Sequence, residues 1–146
     1  MQAKQLEQLL HQEIPITQAL QIKVEQLDQH SIKVLAPFDA NKNIHNTAFA
    51  GSIYTTATLA GWSLLTNFLD EHQLQGSVVL AKGEIKYSKP INGDIVACCK
   101  LPENEDLELF RERLQSKGRA RLTLIIEVKE DDCVKAQLEG SFAVIN

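Results

Sequence analysis

The most constraining feature of the sequence is a long stretch without charge. From Asn43 to Leu69, 27 residues contain no Asp, Glu, Lys or Arg, although 23% of the chain is charged. A membrane-spanning helix needs about 20 consecutive apolar residues, but Asn, Ser and Thr interrupt this run repeatedly. The stretch therefore predicts a helix over about residues 51–71 that is surrounded by protein on most sides, not by lipid.

Composition narrows the class of protein. A chain of 146 residues is expected to form one domain, residues 1–146. The formal net charge of −4 argues against a nucleic-acid partner, which ordinarily requires an excess of Lys and Arg. The first residues carry no apolar signal segment, and Cys98, Cys99 and Cys133 are an odd number of cysteines. We therefore expect a cytoplasmic protein with reduced, structural thiols and no membrane association.

Apolar periodicity predicts an α+β fold. Helices are expected over residues 3–13 and 105–117, and a loop over residues 37–51. Alternating residues predict a hairpin within 20–36 and four more strands over about 77–88, 94–101, 119–129 and 133–145. Strict alternation in the first of these four strands places Val79, Ala81, Gly83, Ile85 and Tyr87 on one face. Six mostly antiparallel strands and one long apolar helix predict a sheet that curls around the helix.

Two segments carry a resemblance to a known family. Residues 43–62, NIHNTAFAGSIYTTATLAGW, and residues 83–94, GEIKYSKPINGD, resemble the loop, central helix and following turn of hot-dog fold thioesterases. The sequence is most similar to the thioesterase-like domain found with bacterial GNAT acetyltransferases. The resemblance covers nearly the whole chain and implies a hot-dog fold. It also implies a homodimer joined edge to edge, or a dimer of such dimers, that binds acyl thioesters at the subunit interface.

The same resemblance implies further partners and site residues. An acetyltransferase is a possible protein partner, and coenzyme A enters only as part of the substrate, so no separate cofactor is expected. Similar enzymes have a loop Asn, which Asn43 matches, and a His-Gly-Gly tripeptide, which here is Phe49-Ala50-Gly51. Their helix acid, about two turns further on, corresponds to Thr58, so the usual carboxylate is absent.

Thioester hydrolysis needs hydrogen-bond donors where charge develops on the carbonyl oxygen. The backbone N–H groups of Ala50, Gly51 and Ser52, at the start of the central helix, are candidate donors, and Phe49 is a candidate substrate contact. Gly51 would allow a ligand to approach the backbone closely. The alternative is an ordinary helix start, with the glycine used only for spacing.

Water must also be activated. His45, with Asn43 or Asn46 orienting it, is a candidate base, and Thr58 could position the water. Alternatively, the loop residues satisfy loop backbone groups and Thr58 bonds to its own helix.

Two acids are further candidates for the base: Asp39 in the loop and Glu84 of the partner subunit. No pair among the four histidines has metal-ligand spacing, so no metal site is predicted.

Cations are expected to bind the phosphates of coenzyme A. Lys82, Lys86 and Lys89 form one candidate group, and Arg121, with Arg119 and Lys117, forms another, although solvated strand faces look the same in sequence. The predicted function is hydrolysis of an acyl-CoA or acyl-carrier thioester. The alternative is a non-catalytic module that binds acyl thioesters or an acetyltransferase. A dehydratase of β-hydroxyacyl thioesters is a third candidate, and the absence of an acid at Thr58 disfavours it.

Overall fold

The structure is a computed structural model that describes residues 1–103 and 105–146. The helices are α1 (Ala3–Glu13), α2 (Ile16–Ala19), α3 (Phe38–Asn41), α4 (Ala50–Glu71) and α5 (Glu105–Lys117). The strands are β1 (Lys23–Leu27), β2 (Ser31–Ala36), β3 (Ser77–Tyr87), β4 (Ile95–Lys100), β5 (Arg119–Glu130) and β6 (Cys133–Ile145). The three long helices and all six strands lie where the sequence predicts them. The short helices α2 and α3 were not predicted, because one turn is too short to show apolar periodicity.

One antiparallel sheet wraps around α4. The strand order is β1-β2-β4-β5-β6-β3, and every neighbouring pair is antiparallel. The central helix packs against strands β2 to β6, and its burial confirms the predicted α+β, hot-dog arrangement. β1 and β3 form the two edges of the sheet. Among the described residues, no helix is both long and apolar enough to cross a membrane.

The central helix is buried on most of its surface because its side chains are small or apolar. Of its 22 residues, 13 are buried, including the polar Thr56, Ser63 and Asn67. Gly61 lies at a close approach to the sheet: a Cβ atom there would lie 2.6 Å from the ring of Phe142 and 3.2 Å from Ile126. Absence of charge therefore allows the helix to lie inside the sheet, and glycine sets how close it lies.

A β-bulge in β3 makes one sequence prediction wrong. The register shifts between Leu80 and Lys82, which pair with Phe142 and Ser141, so Ala81 is an extra residue. Val78 and Leu80 face the helix before the bulge, and Gly83 and Tyr87 face it after the bulge. Val79 is 49% exposed and does not share a face with Tyr87. Strict alternation cannot anticipate a bulge, which inserts one residue and inverts the pattern beyond it.

The turn after β3 holds the loop that precedes α4. The N–H of Ala48 donates to the carbonyl oxygen of Ile91, over 2.8 Å. Asp94 accepts from the N–H of Phe38, also at 2.8 Å, and the N–H of Phe49 donates to Asn41 O. These bonds fix the entry of α4 relative to the sheet.

Candidate functional site

The start of α4 leaves backbone donors free. Phe49 is the N-cap residue, in extended conformation, and no side chain caps the helix. Among the described residues, none accepts a hydrogen bond from the N–H groups of Ala50, Gly51 and Ser52. The first turn also contains no acidic residue. The positive end of the helix dipole is therefore available to an anionic group or a polarised carbonyl.

The ring of Phe49 lies over Gly51. A Cβ atom on Gly51 would lie 2.5 Å from Cε2 of Phe49, so a larger residue would displace the ring. Phe49 is 53% exposed, although it is a large apolar side chain. Gly51 therefore accommodates a half-exposed aromatic ring beside the free N–H groups, where an acyl group could pack against it.

Asn43 organises the loop with its side-chain amide. Its Oδ1 accepts from the N–H groups of His45 (2.9 Å) and Thr47 (3.1 Å), and its Nδ2 donates to Thr47 Oγ1 over 2.9 Å. A short bridge between Lys42 and Ala48 closes the same loop. The predicted alternative, in which Asn43 satisfies loop backbone groups, describes its contacts in this structure.

His45 and Asn46 lie at the tip of this loop. Both are exposed, and Asn46 has a φ of 61°, in the left-handed region that asparagine tolerates. The imidazole of His45 makes no hydrogen bond to any described residue. The loop leads directly into α4, so the structure places His45, Asn46 and the free N–H groups at one end of the helix.

Thr58 bonds to its own helix. Its Oγ1 donates to the carbonyl oxygen of Tyr54 over 2.9 Å, and Thr55 and Thr56 make equivalent bonds to Gly51 O and Ser52 O. The hydroxyl hydrogen of Thr58 is thus occupied, as the alternative prediction described, while its oxygen can still accept a hydrogen bond.

Sequence reasoning missed two tyrosines beside the helix start. Tyr87 donates its hydroxyl to Ala50 O over 2.9 Å and thereby holds the first turn of α4 against the end of β3. Burial, with a smaller contribution from neighbouring Tyr54, raises the pKa of Tyr87, so this donor stays protonated. The side chain of Tyr54 reaches Gly83 on β3. The only signal in the sequence was the alternation that puts Tyr87 on the same face of β3 as Gly83, which gives a face but no partner.

The predicted cations lie in two separate places. Lys86 is at the end of β3, and Lys89 follows in the turn, where its N–H donates to Lys135 O. Arg121 pairs with Ala143, which pairs with Val79, eight residues along β3 from Tyr87. At about 3.3 Å per residue this separation is ~26 Å. The structure therefore does not bring Arg121 to the helix start of the same chain.

Glu84 also lies away from the helix. With Lys82 it lines a shallow cleft on the outer face of the sheet, opposite Glu139. Asp39 is exposed in α3. Neither carboxylate forms a hydrogen bond or an ion pair with the loop or helix residues described above.

Comparison with known proteins identifies the family. A family model described as "Putative thioesterase (yiiD_Cterm)" matches residues 3–146. The chain belongs to this thioesterase family. Its structure is similar to a protein of unknown function from Chlorobaculum tepidum, at 29% identity and a TM-score of 0.94 over 99% of this chain and 94% of that one.

Two further solved structures are similar to this thioesterase family member. One, described as a putative thioesterase from Shewanella oneidensis, has 28% identity and a TM-score of 0.89, over 99% of this chain and 97% of that one. The other, from Pseudomonas aeruginosa, has 18% identity and a TM-score of 0.86, over 99% of this chain and 96% of that one, and shows the fold alone.

As a member of the thioesterase family, the chain offers donors and hydroxyls at the helix start, and the first turn of α4 contains no carboxylate. The nearby acids have structural partners: Asp94 binds the N–H of Phe38, and Glu130 binds the N–H of Asn92 and, at 3.7 Å, Lys135 Nζ. Within residues 1–103 and 105–146, no group of three or more His, Cys, Asp or Glu could hold a metal. The arrangement can polarise a carbonyl, and the exposed imidazole of His45, on the loop that enters α4, is a candidate to take a proton from water.

The cysteines of this thioesterase family member are free. Cys98 and Cys99 point to opposite faces of β4, and Cys99 is 2% exposed. Burial, and to a smaller extent neighbouring Cys98, raises the pKa of the Cys99 thiol to about 12. A thiol that stays protonated is a poor nucleophile, so Cys99 serves packing rather than chemistry.

Proposed function

We propose that the chain hydrolyses acyl-CoA or acyl-carrier thioesters at the start of α4. One observation carries the proposal: in a member of a thioesterase family, the central helix begins with three free N–H groups, no capping side chain and no acid in its first turn. Such a helix end can stabilise the oxyanion that forms when water attacks a thioester carbonyl. The half-exposed ring of Phe49 would contact the acyl group, and Lys86 and Lys89 would meet coenzyme A phosphates.

His45 is the proposed base. Its imidazole is exposed, free of protein partners and carried by the loop that enters α4, where it could take a proton from the attacking water. Asn43 fixes the loop through its amide, and Asn46 forms the left-handed turn next to His45. Thr58 Oγ remains able to accept a hydrogen bond from water. No separate cofactor takes part in this proposal.

The assay is release of free thiol from short, medium and long acyl-CoA and from acyl carrier protein thioesters. We expect His45→Ala to lower kcat by about 100-fold, the usual contribution of a general base. His30→Ala is the control, because His30 is also exposed but lies in the β1–β2 turn. An equal decrease of kcat in both variants, or an unchanged kcat in His45→Ala, would contradict the role of His45. Absence of hydrolysis across the panel would refute the enzyme proposal.

A second candidate function is binding of acyl thioesters without turnover. It is favoured by Thr58, which occupies the position of the usual acid and donates its hydroxyl hydrogen to Tyr54 O. Saturable binding of intact acyl-CoA without thiol release would support this function.

We propose that the protein is a homodimer joined through β3. β3 is an edge strand of eleven residues, and its outer side has no strand partner among the described residues. Pairing with β3 of a second copy would continue the sheet and place the two helix starts near the interface. An association of two such dimers, an acetyltransferase partner and a cytoplasmic location remain predictions from the sequence.

A further inference from the structure

Tyr54 occupies a space that glycine makes available. Its side chain extends from α4 to β3, where a Cβ atom on Gly83 would overlap the phenol oxygen and lie 3.3 Å from Cζ. Gly83 has no positive φ and lies within a paired strand, opposite Gly140, so the backbone does not require glycine there. Glycine in a strand weakens the strand. Gly83 therefore weakens β3 at the position that the Tyr54 hydroxyl occupies.

The Tyr54 hydroxyl has no protein partner among the described residues. The other two large aromatic side chains with a polar atom are satisfied: Tyr87 donates to Ala50 O and Trp62 Nε1 donates to Val78 O, both over 2.9 Å. Tyr54 is only partly buried. A half-buried phenol that the protein places accurately and leaves unbonded is available to a ligand.

Tyr54 lies in the second turn of α4, directly after the turn that carries the free N–H groups. Tyr54 follows Gly51 by three residues, about 4.5 Å along the helix axis. Tyr87 bonds to Ala50 in the first turn, and Gly83, which the Tyr54 side chain contacts, precedes Tyr87 by four residues on β3. Thr58, the residue at the usual acid position, donates a hydrogen bond to the carbonyl oxygen of Tyr54.

We propose that the Tyr54 hydroxyl donates a hydrogen bond to the carbonyl oxygen of the acyl thioester bound at the start of α4. This inference rests on the proposed function and adds a side-chain donor to the backbone donors. A neutral phenol donates a hydrogen bond but does not take a proton from water at neutral pH, so Tyr54 stabilises the oxyanion and the base lies elsewhere. No bond to the tyrosine is formed or broken.

The test uses four variants of the full chain: Tyr54→Phe, Tyr87→Phe, Gly83→Ala and the double variant Gly83→Ala/Tyr54→Phe. Tyr54→Phe should lower kcat by about 100-fold, as loss of one oxyanion donor does, and leave Tm unchanged because no protein hydrogen bond is lost. Tyr87→Phe should lower Tm, because Ala50 O loses its donor. A Tyr54→Phe variant with wild-type kcat would overturn the proposal.

The glycine variants separate position from packing. Gly83→Ala displaces the phenol oxygen and should lower both Tm and kcat. Adding Tyr54→Phe removes the overlapping oxygen, so Tm should recover while kcat stays at the level of Tyr54→Phe alone. Recovery of kcat together with Tm would show that Tyr54 only fills space, and would overturn the proposal.

Failure of the proposed function can be told apart from failure of this inference. If the wild-type chain hydrolyses no acyl-CoA, intact acyl-CoA is not consumed and its binding can be measured by calorimetry. Tyr54→Phe should then raise the Kd for acyl-CoA at least five-fold and leave the Kd for free coenzyme A unchanged, since only the former has the thioester carbonyl. Equal Kd values for wild type and variant, or no binding by the wild type, would overturn the inference.

Discussion

At the scale of single residues, hydrogen bonding separates structural side chains from available ones. Asn43 is engaged on both sides of its amide, Thr58 donates to its own helix, and Tyr87 holds Ala50. His45 and Tyr54 have no protein partner for their side chains among the described residues. Residues of the first kind shape the site, and residues of the second kind are where ligand chemistry can take place.

The cysteines provide a prediction at this scale. Burial raises the pKa of Cys99 to about 12, so its thiol stays protonated through pH 8, whereas Cys98 and Cys133 are only partly buried. Iodoacetamide at pH 8 should label Cys98 and Cys133 in the folded protein, and all three cysteines in urea, because the thiolate is the reacting form. Mass spectrometry of peptides measures the labelling. Labelling of native Cys99 as fast as its neighbour Cys98 would contradict the prediction.

Only part of the site could be predicted from single residues. The uncharged helix start and its N–H groups follow from the sequence, because helix ends leave donors free wherever they lie. The contacts of Tyr87 with Ala50 and of Tyr54 with Gly83 join residues 37 and 29 positions apart, and no local pattern indicates such pairs. The placement of Arg121 also depends on sheet register, which the sequence leaves open.

At the scale of elements, Gly61 allows α4 to pack closely against the sheet. In an exposed helix, Gly→Ala raises stability by about 1 kcal/mol, but Gly61→Ala should lower the free energy of unfolding by about 1–3 kcal/mol. The reason is the rigid, fully buried ring of Phe142, which lies 2.6 Å from the position of the new Cβ atom. Urea unfolding measures the change.

Phe142→Leu provides the control for this prediction. Leucine removes the ring atoms that the new methyl group meets, so the double variant should lose less stability than the sum of the two single losses. Additive losses would show that the close approach of α4 and β6 does not limit packing at Gly61.

Periodicity predicted the elements well because their lengths exceed several turns or alternations. All six strands and the three long helices were identified, although β1 and β3 do not bury one regular face. The errors lie where the pattern changes within one residue: the bulge at Ala81 and the single turns α2 and α3. Such local changes depend on tertiary contacts, such as Asp94 binding the N–H of Phe38, that lie far apart in the chain.

At the scale of the whole molecule, the proposed homodimer depends on the free edge of β3. We expect sedimentation at about twice the 16.3 kDa of one chain. Val79→Lys should shift the protein toward monomer, because it places a charge in the proposed interface. Ile125→Lys is the matched control. Ile125 is 41% exposed, against 49% for Val79, but it lies on β5, which is paired with a strand on each side. A dimer unaffected by Val79→Lys, or lost equally in both variants, would refute pairing through β3.

The bulge in β3 has a further consequence for how this edge meets other chains. A long, flat, apolar edge strand recruits any extended peptide and can start fibril growth. Ala81 interrupts the regular ladder, and beyond it Lys82, Glu84 and Lys86 place alternating charges along the outer face of the edge. The change of register and the unpaired charges would therefore disfavour pairing of a disordered chain with β3. The edge of β3 can remain open in a newly made chain without becoming a nucleus for aggregation.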